Sequence, residues 1–258
     1  MDATRLALIN GTAWQDPTAL LAWVKEMPAE QKTPEKLKEI ASRLLNGGSE
    51  VGRIDELIAT SPPELSAALI SAGFGANGGW PGGDVKPWLA RLEKVAPEDR
   101  ARSSAILAGN WTATDPDAAI AWATALPDEE ARKQSYAAIA GRWAQADSYE
   151  ASQWIATLPA GAGRDAATRT LVGITAEAEP DSAWAWARQI SDPQTRFDSM
   201  AMALAGFSKT DPAAGRAALQ QTTDLVAADR AHFEAVLTNT TRGSGQPKTA
   251  PGHPTPTK

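Results

Sequence analysis

Apolar residues along this chain recur at the spacing of an amphipathic helix. The segment 132–143 is an example, and its apolar side chains at positions i, i+3, i+4 and i+7 are Tyr136, Ile139, Ala140 and Trp143. Runs of alternating β-branched residues between hairpin turns do not compete with this pattern. Because helices of about twelve residues are marginal in isolation, each must be stabilised by packing. The pattern therefore predicts an all-α protein made of short helices packed against one another.

The apolar pattern repeats with a period of 32 residues. Each regular repeat is marked by an acidic residue, usually followed by proline, and these acids are Asp115, Asp147, Glu179 and Asp211. The residues seven positions after them are Trp122, Trp154, Trp186 and Ala218, and those four positions before them are Trp111, Trp143, Thr175 and Phe207. A large ring at a fixed repeat position is typical of the core between stacked hairpins. These in-register aromatic residues are therefore predicted to be buried.

Each repeat is predicted to contain two helices. The acid offers an oxygen to the free amides of a helix start, and the proline after it occupies the first helical position, where a missing amide is harmless. Pro127 and Pro159 predict the ends of two first helices. Small residues that are again 32 positions apart, at Gly141, Gly173 and Ala205, are predicted to let adjacent helices approach closely.

With the more divergent copies near the N-terminus included, the sequence predicts about seven helical hairpins between residues 14 and 239. Repeats of this kind stack on their neighbours, so the predicted fold is an all-α, open α-solenoid that winds as a right-handed superhelix. This repeat domain spans 1–239, is most regular over 111–222 and has a kink in the Gly-rich segment 72–83. Residues 240–258 have no periodic apolar side chains and are rich in Pro, Thr and Gly, which predicts a disordered tail.

The most complete repeat carries the motif W-x(3)-D-P-x(2)-A-x(2)-W-x(3)-L-P. Its matching residues are Trp111, Asp115, Pro116, Ala119, Trp122, Leu126 and Pro127. The motif resembles a repeat of uncharacterised bacterial proteins and, more generally, the tetratricopeptide and HEAT-like α-solenoids. The resemblance covers roughly residues 14–222 and implies a binding scaffold. Because the tetratricopeptide period is 34 residues, the peptide-pocket residues of that family do not carry over to this chain.

Composition narrows the range of functions. A net charge of −6 and a pI near 5.1 disfavour nucleic acid as the partner, because such a surface needs an excess of Lys and Arg. The chain contains no Cys, which excludes disulfides, thiolate zinc sites and Cys nucleophiles. With two His, at His232 and His253, we expect neither a metal nor a cofactor. The sequence predicts no membrane insertion, and cytoplasmic and bacterial envelope locations agree with it equally well.

Two features are candidates for an interaction site. The first is a series of arginines, each 32 residues apart: Arg100, Arg132, Arg164 and Arg196. They lie near the start of each second helix. One interpretation is that each arginine bonds to a neighbouring acidic side chain or to a carbonyl at a helix end. The other is that the arginines form a row that binds carboxylates or phosphates. The second is Trp184, which breaks the repeat pattern. It is predicted to be exposed as a contact anchor, with local packing as the alternative.

The sequence pattern favours binding over catalysis. Linear helical arrays expose long surfaces and need no catalytic residues, so we expect a non-catalytic scaffold that binds another protein or a peptide. Two alternatives are compatible with the same residues. One is a helical-toroid enzyme that uses paired carboxylates as acid and base. The other is a structural module of a larger bacterial envelope protein.

Overall fold

Helices account for the regular structure of the described chain. The computed structural model describes residues 17–46, 51–75, 84–223 and 225–243. Within these ranges the elements are α-helices and one short 3-10 helix, with no strand, which confirms the all-α prediction. The predicted kink lies partly outside the described residues, at 76–83, and so does the predicted tail from residue 244 onward.

The chain divides into two compact units, Met1–Ala151 and Ser152–Lys258. The helices of the N-terminal unit are α1 (Pro17–Glu26), α2 (Pro34–Asn46), α3 (Val51–Thr60), α4 (Pro63–Gly75), α5 (Lys86–Leu92), α6 (Pro97–Thr112), α7 (Pro116–Thr124) and α8 (Glu129–Ala146), with the 3-10 helix Ala29–Gln31 after α1. Helix α9 (Ser148–Thr157) crosses the division. The helices of the C-terminal unit are α10 (Ala162–Thr175), α11 (Pro180–Ala187), α12 (Pro193–Thr210), α13 (Pro212–Gln221) and α14 (Ala227–Gly243). Helix α14 continues to Gly243 and therefore includes the first four residues of the predicted tail, 240–243.

Two apolar clusters contribute to the core of the described part of the N-terminal unit. The first is built by α1 to α4, and its fully buried members are Val24, Ala41, Leu45, Leu65 and Leu69. The second is centred on Phe74, Trp88 and Leu107, and the rings of Phe74 and Trp88 meet edge to face with centroids 5.4 Å apart. Trp111 and Trp122 pack against this second cluster while remaining half-buried. These two in-register rings therefore contribute to the core without being fully enclosed.

Long and short helices alternate and pack in a constant way within each unit. In the N-terminal unit the short helix α7 contacts the long helices α6 and α8, which also pack directly against each other. In the C-terminal unit α11 contacts α10 and α12 in the same way, and α13 contacts α12 and α14. Each of these short helices therefore lies against the long helices before and after it, as expected of packed helical hairpins.

The acidic residue of each regular repeat joins a long helix to the following short one. At Asp115 the backbone N–H donates to the carbonyl of Trp111 (2.9 Å), and the backbone carbonyl accepts from the N–H of Ala119 (3.1 Å). The same pair of bonds recurs at Asp147, Glu179 and Asp211. The W-x(3)-D spacing is thus the last turn of one helix, and the three residues after the acid belong to the first turn of the next.

Aspartate side chains cap the starts of both kinds of helix. Asp115 Oδ1 accepts from the N–H of Ala118 at 2.9 Å at the start of α7, and Asp128 Oδ1 accepts from the N–H of Ala131 at 2.7 Å at the start of α8. Equivalent bonds are made by Asp147, Asp192 and Asp211. The predicted helix starts at Asp115 and Asp211, each followed by proline at the first helical position, are confirmed.

Close approach of two helices in the C-terminal unit depends on Gly206. A Cβ atom at Gly206 would lie 1.7 Å from the carbonyl oxygen of Ala176, so α12 passes the end of α10 at a distance that only glycine allows. A Cβ at Gly173 would meet no atom within 4 Å, and Gly173 is exposed. The prediction that Gly173 permits close packing is therefore wrong, because that position of α10 faces away from its neighbours.

A buried carboxylate links two hairpins of the C-terminal unit. Asp165, in the first turn of α10, is 5% exposed. Its two oxygens accept hydrogen bonds from the backbone N–H groups of Ser191 and Asp192, each at 2.9 Å. Because these two residues are the last two of the loop between α11 and α12, the carboxylate helps to fix where α12 begins. The equivalent positions one repeat before and after are Lys133 and Phe197, so comparison of the repeats does not reveal this contact.

Replacing Asp165 by asparagine is expected to lower the free energy of unfolding by roughly 2–3 kcal/mol. The amide NH₂ group would face one of the two backbone N–H groups, so a charge-assisted bond is lost and a buried donor is left without an acceptor. Chemical denaturation followed by circular dichroism measures the change. Asp181→Asn, at an exposed position in the first turn of α11, is the matched control and is expected to cost less than about 0.5 kcal/mol. Equal effects at both positions would show that Asp165 does not hold the loop.

Candidate functional site

Three arginines of the periodic series bond to backbone carbonyls of their own hairpins. The accepting carbonyls lie in the turn after the short helix, where helix geometry provides no partner for them. The pairs are Arg100 with Val95, Arg132 with Leu126 and Arg196 with Ile190, at N···O distances of 3.1, 2.7 and 2.9 Å. A guanidinium group here also offsets the partial negative charge of the helix end. These arginines therefore brace the two helices of each hairpin.

Two further arginines make similar contacts within the C-terminal unit. Arg164 Nη2 donates to the side-chain oxygen of Gln189 at 3.3 Å. Arg230 donates to the carbonyls of Leu219 (2.8 Å) and Thr222 (2.6 Å). Sequence comparison missed Arg230 because it follows the preceding member of the series by 34 residues instead of 32. Within the part of the chain that the structure describes, no carboxylate lies within ion-pair distance of these arginines.

Trp184 is buried, so the predicted exposure of this side chain is wrong. Only 6% of the residue is accessible, and its ring meets that of Phe233 edge to face with centroids 6.3 Å apart. Trp186, which does follow the repeat pattern, packs against the same apolar cluster but is half-buried. The side of α11 that carries Ala183, Trp184 and Ala187 is turned toward the core. Trp184 therefore contributes to packing and is not a surface anchor.

A cleft of about 280 Å³ lies in the C-terminal unit, where α11 ends and α12 and α14 begin. Its floor is apolar and includes Phe197, Met200 and Phe233. The rings of Phe197 and Phe233 are stacked with centroids 4.8 Å apart. Val226, at the rim, is 62% exposed, which is unusual for a large apolar side chain. Because Phe233 and Met200 are buried, the aromatic and aliphatic surface that the cleft offers to solvent comes mainly from Val226 and the half-buried Phe197.

Among the described residues, three charged side chains line the same cleft: Arg188, Arg196 and Asp229. Arg188 is exposed and follows the last residue of α11, and within the described residues its guanidinium group makes neither a hydrogen bond nor an ion pair. The hydrogen bonds of Arg196 come from Nη1, to the carbonyls of Ile190 and Ser191, so its other nitrogens remain available. Asp229 has no bonding partner among the described residues either. Within the described residues, the cleft thus brings charged groups next to the apolar side chains of Phe197 and Val226.

Asp192, at the start of α12, is a carboxylate close enough to Arg196 for their charges to interact. Hydrogen bonds from the hydroxyl and backbone N–H of Thr195 hold the pKa of Asp192 below its ordinary value, and the positive charge of Arg196 adds to the effect. The Thr195 N–H bond is 2.7 Å long. Asp192 therefore stays ionised as a helix cap and directs its oxygens to the backbone of α12.

Other classes of site find no support in the described ranges. No group of three or more His, Asp or Glu side chains in these ranges is placed to hold a metal ion. None of the helices described combines the length and apolar character needed to cross a bilayer. No protein-family model, curated protein or solved structure matches this chain. The residues of the cleft are therefore the basis for a functional proposal.

Proposed function

We propose that this protein is a non-catalytic protein-interaction scaffold, built as an α-solenoid of helical hairpins, and that its C-terminal unit binds a partner at the cleft. The observation that carries the proposal is the juxtaposition of the exposed Val226 and the half-buried Phe197 with two arginines, Arg188 and Arg196, that have no carboxylate partner in the described chain. Exposed apolar side chains beside unpaired charges are typical of interaction surfaces.

The recurrence of the hairpin supports the scaffold part of the proposal. Short helices begin at Pro116, Ser148, Pro180 and Pro212, which are 32 residues apart. The backbone bonds that join long to short helix are the same at each of these starts. Proteins made of such repeats present extended surfaces and commonly serve as binding platforms, which is an argument by analogy of architecture.

The enzyme alternative requires two carboxylates that face each other across a cleft. Among the described residues that line the cleft, Asp229 is the single carboxylate, and arginines occupy the opposing positions. Such a lining is suited to binding a charged group and not to acid and base catalysis by a carboxylate pair. We therefore favour the scaffold over the enzyme.

Val226→Asp is expected to abolish capture of the partner without unfolding the protein. The new carboxylate would compete with the partner for Arg188 and Arg196, and it would make the rim of the cleft polar. Val226 is exposed and directly precedes α14, and aspartate is favourable at a helix start, so stability should not fall. Photo-crosslinking of the tagged full chain in the source cells captures the partner. The purified partner is then tested for binding to the purified wild-type chain and to the purified variant.

The matched control is Ala231→Asp, on an exposed position of α14 that does not line the cleft. We expect the control to bind the partner as well as the wild type does. A partner that binds both variants equally, or that binds none of the purified chains, would contradict the proposal.

A further inference from the structure

We draw no further inference here: the strongest candidate, the surface patch formed by the half-buried indole rings of Trp111 and Trp122 where α6 meets α7, is an apolar face, and nothing in the described part of the structure shows what covers it.

Discussion

Gly206→Ala is expected to destabilise the C-terminal unit by about 3 kcal/mol or more. The added Cβ would lie 1.7 Å from the carbonyl oxygen and 2.6 Å from the carbonyl carbon of Ala176, and both are backbone atoms that cannot rotate away. Helices α10 and α12 would have to separate, which opens the apolar cluster around Leu204 and Phe207. The helix propensity that alanine gains over glycine is only about 1 kcal/mol and does not offset this overpacking.

Gly173→Ala provides a control of opposite sign. It is also a glycine inside a long helix, but its Cβ would meet no atom within 4 Å. We expect this variant to be stabilised by about 0.5–1 kcal/mol, since alanine restricts the unfolded chain more than glycine does. Chemical denaturation of both variants, followed by far-ultraviolet circular dichroism, measures the contrast. A stable Gly206→Ala protein would mean that α12 does not pass α10 as closely as described.

Trp184→Ala is expected to cost about 3–5 kcal/mol, which is the usual effect of removing a buried tryptophan ring. Trp184 is 6% exposed and packs against Phe233 in the main apolar cluster of the C-terminal unit. The repeat pattern predicts a much smaller cost here than at Trp154, which is 8% exposed. With similar burial at both positions, we now expect similar costs at Trp184 and Trp154.

Trp186→Ala is the matched control, because it removes the same side chain two residues further along α11. Trp186 is half-buried at the edge of the cluster, so its loss should cost roughly 1–2 kcal/mol. The packing described for α11 predicts that Trp184→Ala lowers the free energy of unfolding more than Trp186→Ala does. A larger effect at Trp186 would show that the repeat pattern, and not the described packing, identifies the core residue of α11.

The arginine series illustrates how one residue type at one repeat position acquires different environments. Arg100 and Arg132 bond to the carbonyls that end the preceding short helix, and that bond accounts for their periodic spacing. Arg196 makes the same bond and also lines the cleft, so it braces its hairpin at the edge of the proposed binding surface. Its replacement would therefore change the stability of the hairpin as well as any binding at the cleft.

Local features of the chain are sufficient to predict the helices of the regular repeats and where they start. These features act within one or two helical turns, so each can be recognised in a short stretch of residues. Examples are the helix cap Asp115, the proline after it and the apolar spacing over 132–143. The all-α fold and the helix starts of the regular repeats follow from such features. The end of α14 has few apolar residues, and a helix with weak periodicity leaves little signal in the sequence, so the sequence does not predict that the helix extends to Gly243.

Contacts between elements distant in the chain required the tertiary structure. Burial of Trp184 depends on Phe233, which lies 49 residues further on, and close packing at Gly206 depends on the path of α10. The Asp165 bonds and the cleft likewise arise where residues of different hairpins meet. Periodicity reveals what every repeat shares, whereas these features belong to single repeats. Their positions are set by how side-chain volumes fill the space between helices, which no local pattern encodes.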